Sequence, residues 1–389
     1  EAQRLKILDW ISDDAARRKH TKLISGHHPN TGQWIFATPE FQSWTGSETR
    51  VFWCYGNPGV GKTQIMSLIA DYLSRITCVA YFYCDYQASC VQAGTAVAAS
   101  LLRQLVETEP SIPLALEDLY KTLGYGRDNL KLDDITSLLH HLCLDKRHVY
   151  ILLDALDEYG PASQRRGIMS LLKNLAEAGA RILIISRPHV ADVGRTFGEY
   201  IELEVRSDPS DIRSYVEHTI SASDELAEFI VNDLREEAVQ RVVDQADRMF
   251  LLATLQCTRL THLTRRSEVR RALKILPSGL ETAYEESMGR IELESPERKS
   301  IAMTALSWIY HTRRPLSINE LLHVLAVDSS SVLSLSEENI PSRSLVVDVC
   351  AGLIVLDTES GAVRFAHYSL HEYFQATYQQ WFSLAKREI

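Results

Sequence analysis

The sequence predicts an α/β P-loop-type domain, with helices on both faces of a parallel sheet, followed by a helical domain and a winged-helix domain. Three observations carry that prediction. Short Val-, Ile- and Tyr-rich runs alternate with helical stretches between residues 50 and 206. The first run ends in a glycine-rich loop that leads straight into a helix. After Asp208 the strand-like runs stop, amphipathic helices take over, and a hairpin pattern appears only near the C-terminal end.

Taken in order, residues 1–49 read as a helix from Arg4 to about Leu23 and a polar segment, Gly26 to Gly32. Trp34, Phe36, Phe41 and Trp44 follow, spaced as anchors for a short arm lying on a larger body. Residues 50–206 hold the strands Val51–Tyr55, Val79–Cys84, Val149–Leu153, Arg181–Ile185 and Tyr200–Val205. Between them lie the helices Gln64–Arg75, Ala93–Thr108, Leu132–Leu144 and Arg165–Ala178. Residues 207–298 read as a helical domain punctuated by Pro277 and Gly279 and closed by Pro296. In 299–389, Ser317-x-x-Glu320 is a capping box, and a second helix spans about Ser342–Cys350. Leu353–Asp357 and Ala362–Ala366, joined by a Thr358–Gly361 turn, read as a hairpin, and Ser369-x-x-Glu372 caps one more helix.

Composition narrows the function classes. At 389 residues the chain exceeds what one hydrophobic core serves. Lys and Arg total 41 against 51 Asp and Glu, net −10, which argues against a general electrostatic grip on nucleic acid or anionic lipid. No run reaches 18 apolar residues, so no membrane-spanning helix is expected. Cys54, Cys78, Cys84, Cys90, Cys143, Cys257 and Cys350 form no C-x-x-C pair, which suits reduced thiols in a cytoplasmic protein. The chain begins at Glu1 with no signal peptide and reads as an internal piece of something longer.

Gly56-Asn57-Pro58-Gly59-Val60-Gly61-Lys62-Thr63 fits G-x-x-x-x-G-K-[ST] in the strand–loop–helix context the motif needs. Glycines let backbone N–H groups ring a phosphate, and the helix opening at Gln64 adds positive potential at its N-terminus. Lys62 is placed to reach the β- and γ-phosphates and the Thr63 hydroxyl to ligate Mg²⁺. The run Val149–Leu153 ends in Asp154, where a carboxylate holds Mg²⁺ directly or through water. Asp157 and Glu158 follow just past the strand; either is a candidate to orient or deprotonate an attacking water. Their bland alternative is a helix start that favours carboxylates. Arg187, after the strand Arg181–Ile185, is a candidate to sense the γ-phosphate, against the alternative of a surface cation neutralising carboxylates.

Together Gly56–Thr63, Asp154-Ala155-Leu156-Asp157-Glu158 and Ser186-Arg187-Pro188 resemble a NACHT domain of the signal-transducing STAND NTPases, the fungal NACHT proteins above all. Gly32-Gln33-Trp34, Asp211-Ile212…Tyr215, Ile275-Leu276-Pro277…Leu280…Tyr284, Arg314-Pro315-Leu316 and Phe365-Ala366-His367-Tyr368-Ser369-Leu370-His371-Glu372 have counterparts there. The resemblance implies a nucleotide-operated switch: ADP holds the modules closed, and ATP with Mg²⁺ lets them open and oligomerise. It implies slow hydrolysis, effector and sensor domains in the flanking chain, and contact from His367 to the β-phosphate of ADP. Two departures stand out: Arg248-Met249-Phe250-Leu251-Leu252-Ala253 has Arg for Gly and Leu for Trp, and His371 replaces a frequent Gln.

Other signals are weaker. Arg265, Arg266, Arg270, Arg271 and Lys274 read as a solvated helix face. Residues 313–389 carry 6 Lys/Arg against 9 Asp/Glu, so the winged helix lacks a DNA-binding charge pattern. His20, His27 and His28 lack companions at metal-ligand spacing. No N-K-x-D guanine signature occurs, although GTP remains open beside ADP and ATP. A constitutive ATPase or phosphotransferase, and a scaffold stabilised by unhydrolysed nucleotide, are the competing readings.

Overall fold

Five apolar runs become five parallel strands in the computed structural model. It describes residues 2–382 apart from 86–93, 146–147, 161, 189, 191, 224–226, 229, 262, 328–338 and 358–360. Cys90 and the Thr358 end of the expected hairpin turn lie outside the described residues. The chain forms two compact units, Glu1–Asp211 and Ile212–Ile389.

In the first unit the strands are β1 (Val51–Tyr55), β2 (Cys78–Tyr83), β3 (Val149–Asp154), β4 (Arg181–Ser186) and β5 (Ile201–Glu204), in the order β2-β3-β4-β1-β5. The three inner strands are almost wholly buried, which is why they read as continuous apolar runs without alternation. Register fixes which tips meet. Tyr55 pairs with Ser186, Leu153 with Ile184 and Tyr83 with Asp154, so the carboxyl ends of four strands share one edge. That edge is where an open α/β sheet binds ligands.

The helices of this unit are α1 (Ala2–Ile11), α2 (Ala15–Ser25), α3 (Pro39–Gly46), α4 (Lys62–Ser74), α5 (Gly94–Glu107), α6 (Leu114–Thr122), α7 (Leu132–Asp145), α8 (Ala162–Glu177) and α9 (Asp192–Thr196). The single helix expected from Arg4 to Leu23 is therefore two. Arg103 of α5 clasps the end of α1: its guanidinium donates to Leu8 O at 3.1 Å and pairs with the Asp9 carboxylate at 3.0 Å. The Asp13 carboxylate accepts from Ala15 N–H, offering the backbone an alternative to helix. Phe41 and Trp44 are buried anchors, with Trp44 against Phe52 and Tyr150. Trp34 and Phe36 are only half-buried; Ile35 between them is the buried one.

The second chain segment runs through α10 (Pro209–Ala222), α11 (Asp233–Gln245), α12 (Phe250–Thr261), α13 (Arg266–Lys274), α14 (Leu280–Glu292) and α15 (Pro296–His311). Next come β6 (Leu316–Ser317), α16 (Ile318–Leu325), α17 (Arg343–Val349), β7 (Ile354–Leu356), β8 (Ala362–Phe365), α18 (Tyr368–Ala376) and α19 (Tyr378–Trp381). The strands form an antiparallel sheet in the order β6-β8-β7, and helices backed by this small sheet make the winged helix. One apolar core joins α10 to α13 through Val216, Val239 and Leu260. Another runs from Tyr284 and Met288 on α14 to Phe365 and Phe374.

Two expectations need correction. Pro296 opens α15 rather than closing a helix: it stands at the first position, where its missing N–H costs nothing, behind the Ser295 cap. Ser369 does not cap the last long helix; His367 does, because α18 already starts at Tyr368. The Ser317–Glu320 capping box forms as expected. Among the described residues no helix is long and apolar enough to cross a membrane.

Candidate nucleotide-binding site

The glycine-rich loop bridges β1 and α4 at the shared strand edge. Its conformation requires glycine: Gly59 and Gly61 have φ of +77° and +88°, and a Cβ on Gly56 would stand 2.5 Å from Val205 O. Gly56 N–H donates to Ser186 O, and the Ser207 hydroxyl donates to Val60 O, so the loop is tied to β4 and to the segment after β5. Lys62 lies across the loop, with its ammonium donating to Gly56 O and Asn57 O at 2.9 Å each. Burial lowers its pKa, opposed by the charges of Asp157 and Asp154.

Asp154 ends β3 and is buried. Burial raises its pKa, opposed first by a hydrogen bond with the Thr63 side chain. Its Oδ1 has no hydrogen-bond partner. A buried carboxylate with one orphan oxygen, beside a hydroxyl at a phosphate loop, is a donor set that suits a hard divalent cation. The structure thus brings together Thr63 and Asp154, the two residues expected to hold Mg²⁺.

Past Asp154 the chain makes an abrupt turn. Ala155 has φ +53°, in the left-handed region that side-chain-bearing residues adopt at a cost, and a short turn over Leu156–Tyr159 follows. This turn separates the two candidate bases. Asp157 accepts from Arg187 N–H at 3.1 Å and pairs with Arg187 Nε at 3.1 Å, both side chains being nearly buried. Glu158 makes a different environment: burial, then Asp157, lifts its pKa to about 8. Arg187 therefore stands at the expected strand tip, held by Asp157. Its neighbour Ser186 is fixed by Trp53, whose indole N–H donates to Ser186 Oγ at 2.9 Å.

Sequence reasoning missed Lys19. It extends from α2 to the tip of β2, donates to Cys84 O at 3.4 Å and lies 5.7 Å from the Tyr83 ring centre. Its charge acts on both Asp154 and Glu158. Nothing in its local pattern signals this, since the contact depends on how α2 docks on β2. The adjacent His20, weighed above as a metal ligand, instead meets the Tyr83 hydroxyl at 2.8 Å, and His27 meets Thr31.

His367 belongs to the second unit and is described there. Its Nδ1 accepts from Ser369 N–H at 3.1 Å and lies 2.8 Å from Ser369 Oγ. That hydroxyl is in turn 2.7 Å from the Tyr284 hydroxyl. The family-like helix motif behaves differently from the pattern it resembles: Arg248, at the position of a frequent Gly, has φ +58°.

A strand–loop–helix phosphate cradle, an acidic strand end and an arginine on the neighbouring strand define a P-loop NTPase. Residues 30–187 match the model of the N-terminal region of nephrocystin 3, and residues 291–382 that of the winged-helix domain of GPI inositol-deacylase. The chain is similar to NACHT-type P-loop NTPases, a fungal incompatibility protein among them. It is 23% identical over 367 residues to the vegetative incompatibility protein HET-E-1 of Podospora anserina, covering 88% of this chain and 26% of that protein. It is 30% identical over 134 residues to azaphilone pigments biosynthesis cluster protein L of Monascus ruber, covering 33% and 28%. The chain thus spans about a quarter of the length of these curated relatives. Among solved structures, the Walker-type ATPase PABY2304 of Pyrococcus abyssi aligns with a TM-score of 0.39 at 13% identity, over 86% of this chain and 93% of that one. Cdc6p of Pyrobaculum aerophilum aligns with a TM-score of 0.40 at 13% identity, over 91% and 95%.

Proposed function

We propose that this chain is the nucleotide-operated switch of a signalling protein, binding ADP or ATP with Mg²⁺ and hydrolysing ATP slowly. The observation that carries this reading is the division of labour between the two acidic residues after Asp154. Asp157 is committed to Arg187, which leaves Glu158 as the carboxylate for water. Backbone amides of Gly56–Thr63, and of Gln64 in the first turn of α4, cradle the phosphates, and Lys62 exchanges its two loop carbonyls for phosphate oxygens. Thr63 and Asp154 would hold Mg²⁺, which would supply positive charge to offset that of the nucleotide phosphates.

Glu158 takes a proton from water only after it has lost its own, and its raised pKa makes that state scarce below about 8. Slow turnover is the expected consequence. Arg187, already positioned by Asp157, supplies the charge that distinguishes triphosphate from diphosphate. His367 supplies a hydrogen-bond donor to the diphosphate in the closed state. The resulting linkage is physical: ADP stabilises the closed form only by its differential affinity for it, and self-association follows from opening. Effector and sensor modules flanking this chain would receive that change.

Phosphate release under excess ATP and Mg²⁺ tests the assignment. Slow release that falls at least tenfold in Glu158→Gln, with nucleotide binding retained, is the expected result. Rapid constitutive turnover in the wild type would contradict a switch and favour an ordinary ATPase.

A further inference from the structure

Lys19 reaches the phosphate edge from a helix outside the sheet, and the proposed function leaves it without a task. The residues on either side of it pin α2 in place. Arg17 pairs with Glu107 of α5, while His20 meets the Tyr83 hydroxyl at 2.8 Å and lies 4.4 Å from the Tyr81 ring centre. The side chain between them therefore has a fixed root. It ends beyond β2, with its ammonium donating to Cys84 O at 3.4 Å and lying 5.7 Å from the Tyr83 ring centre. Cys84 N–H in turn donates to Asp154 O at 3.2 Å. The ammonium thus stands beside the end of β3, where the chain turns at Ala155 toward Glu158.

These two contacts hold the ammonium loosely. The carbonyl is farther off than in an ordinary N–H···O bond, the ring is near the outer limit of cation–π attraction, and neither neighbour carries a charge. The field of Lys19 falls on carboxylates instead. At Asp154 burial raises the pKa, and the Thr63 hydrogen bond and Lys62 oppose it together with Lys19. At Glu158 burial, Asp157, Asp154 and Asp85 all push upward, and Lys19 is the cation that opposes them. Other cations at this edge are engaged elsewhere: Arg187 pairs with Asp157, and Lys62 spans the glycine-rich loop.

We propose that Lys19 is a positioning residue for hydrolysis, its ammonium holding the Glu158 carboxylate toward the attacking water. The inference rests on the reading of Glu158 as the carboxylate for water and adds to it a residue from outside the sheet. Docking of α2 on β2 thereby becomes part of the hydrolytic apparatus. Moving the ammonium from Cys84 O to a carboxylate costs little, because the contact given up is long and neutral. A lysine suits the task, since its flexible stem carries a compact charge that can shift between the two partners.

Single-turnover phosphate release by the full 389-residue chain with ATP and Mg²⁺, measured beside the affinity for a fluorescent ATP analogue, tests this. Lys19→Met is expected to slow release about three- to tenfold and to leave affinity within about twofold. Lys19→Arg, which keeps the charge, should recover most of the loss, and Lys19→Gln replaces the methionine variant if that one does not fold. In the Glu158→Gln background Lys19→Met should have no further effect. Wild-type release in Lys19→Met, with Glu158→Gln still impaired, overturns the inference and leaves the role of Glu158 standing. Equal slowing in both backgrounds, or a matching loss of affinity, assigns Lys19 to the phosphates or to the fold and overturns it as well. If Glu158→Gln itself releases phosphate at the wild-type rate, the role of Glu158 toward water falls and its pairing with Lys19 falls with it.

Discussion

Glu158 concentrates the electrostatic tension of the site. Its folded pKa of about 8 lies above the ordinary 4.5, so the group favours folding in its protonated form. That contribution is complete below about pH 4.5 and is lost as pH rises through about 8. Thermal melts of nucleotide-free protein should therefore show falling stability across this interval, with Glu158→Gln flattening the fall. A fall of unchanged size in the variant would place the buried charge elsewhere. At Asp157 the expectation differs: Asp157→Ala removes a nearly buried ion pair with Arg187 and should cost about 1–3 kcal/mol in chemical denaturation. Most of these residues were legible in the sequence because motif spacing identifies them. The choice between Asp157 and Glu158 was not, since it depends on the left-handed turn at Ala155 and on where Arg187 comes to rest. That turn also gives a physical reason for a small residue after Asp154. A β-branched side chain at this φ is strained further, so Ala155→Val should destabilise and Ala155→Gly should not.

At the scale of elements, helix and strand identity followed from periodicity, whereas ends and breaks followed from contacts that lie far off in sequence. The core strands were found within a residue or two because burial on both faces demands unbroken apolar runs. The split between α1 and α2 was invisible because the junction is held by Arg103, nearly a hundred residues away, which donates to the carbonyls of Leu8 and Ser12. Likewise Gly32 N–H finds the Asp211 carboxylate at 2.7 Å, joining two family-like motifs whose relation no local pattern reveals. Arg248 shows the reverse case, a sequence departure whose meaning the backbone supplies. At φ +58° an arginine pays a cost that glycine avoids, so Arg248→Gly should stabilise the second unit by up to about 1 kcal/mol. Denaturant titration checks it; a destabilised variant would mean that the arginine side chain contributes more than its backbone strain costs.

At the scale of the whole molecule the central claim is thermodynamic coupling between nucleotide and conformation. Ordered fold and phosphate chemistry came from pattern, but coupling is a property of two states and requires a measurement that compares them. The most direct one is to denature the purified protein, identify any released nucleotide by chromatography, and compare wild type with His367→Ala. The switch predicts near-stoichiometric ADP in the wild type and its loss from the variant. A wild-type protein that carries no nucleotide and turns over added ATP rapidly would contradict it.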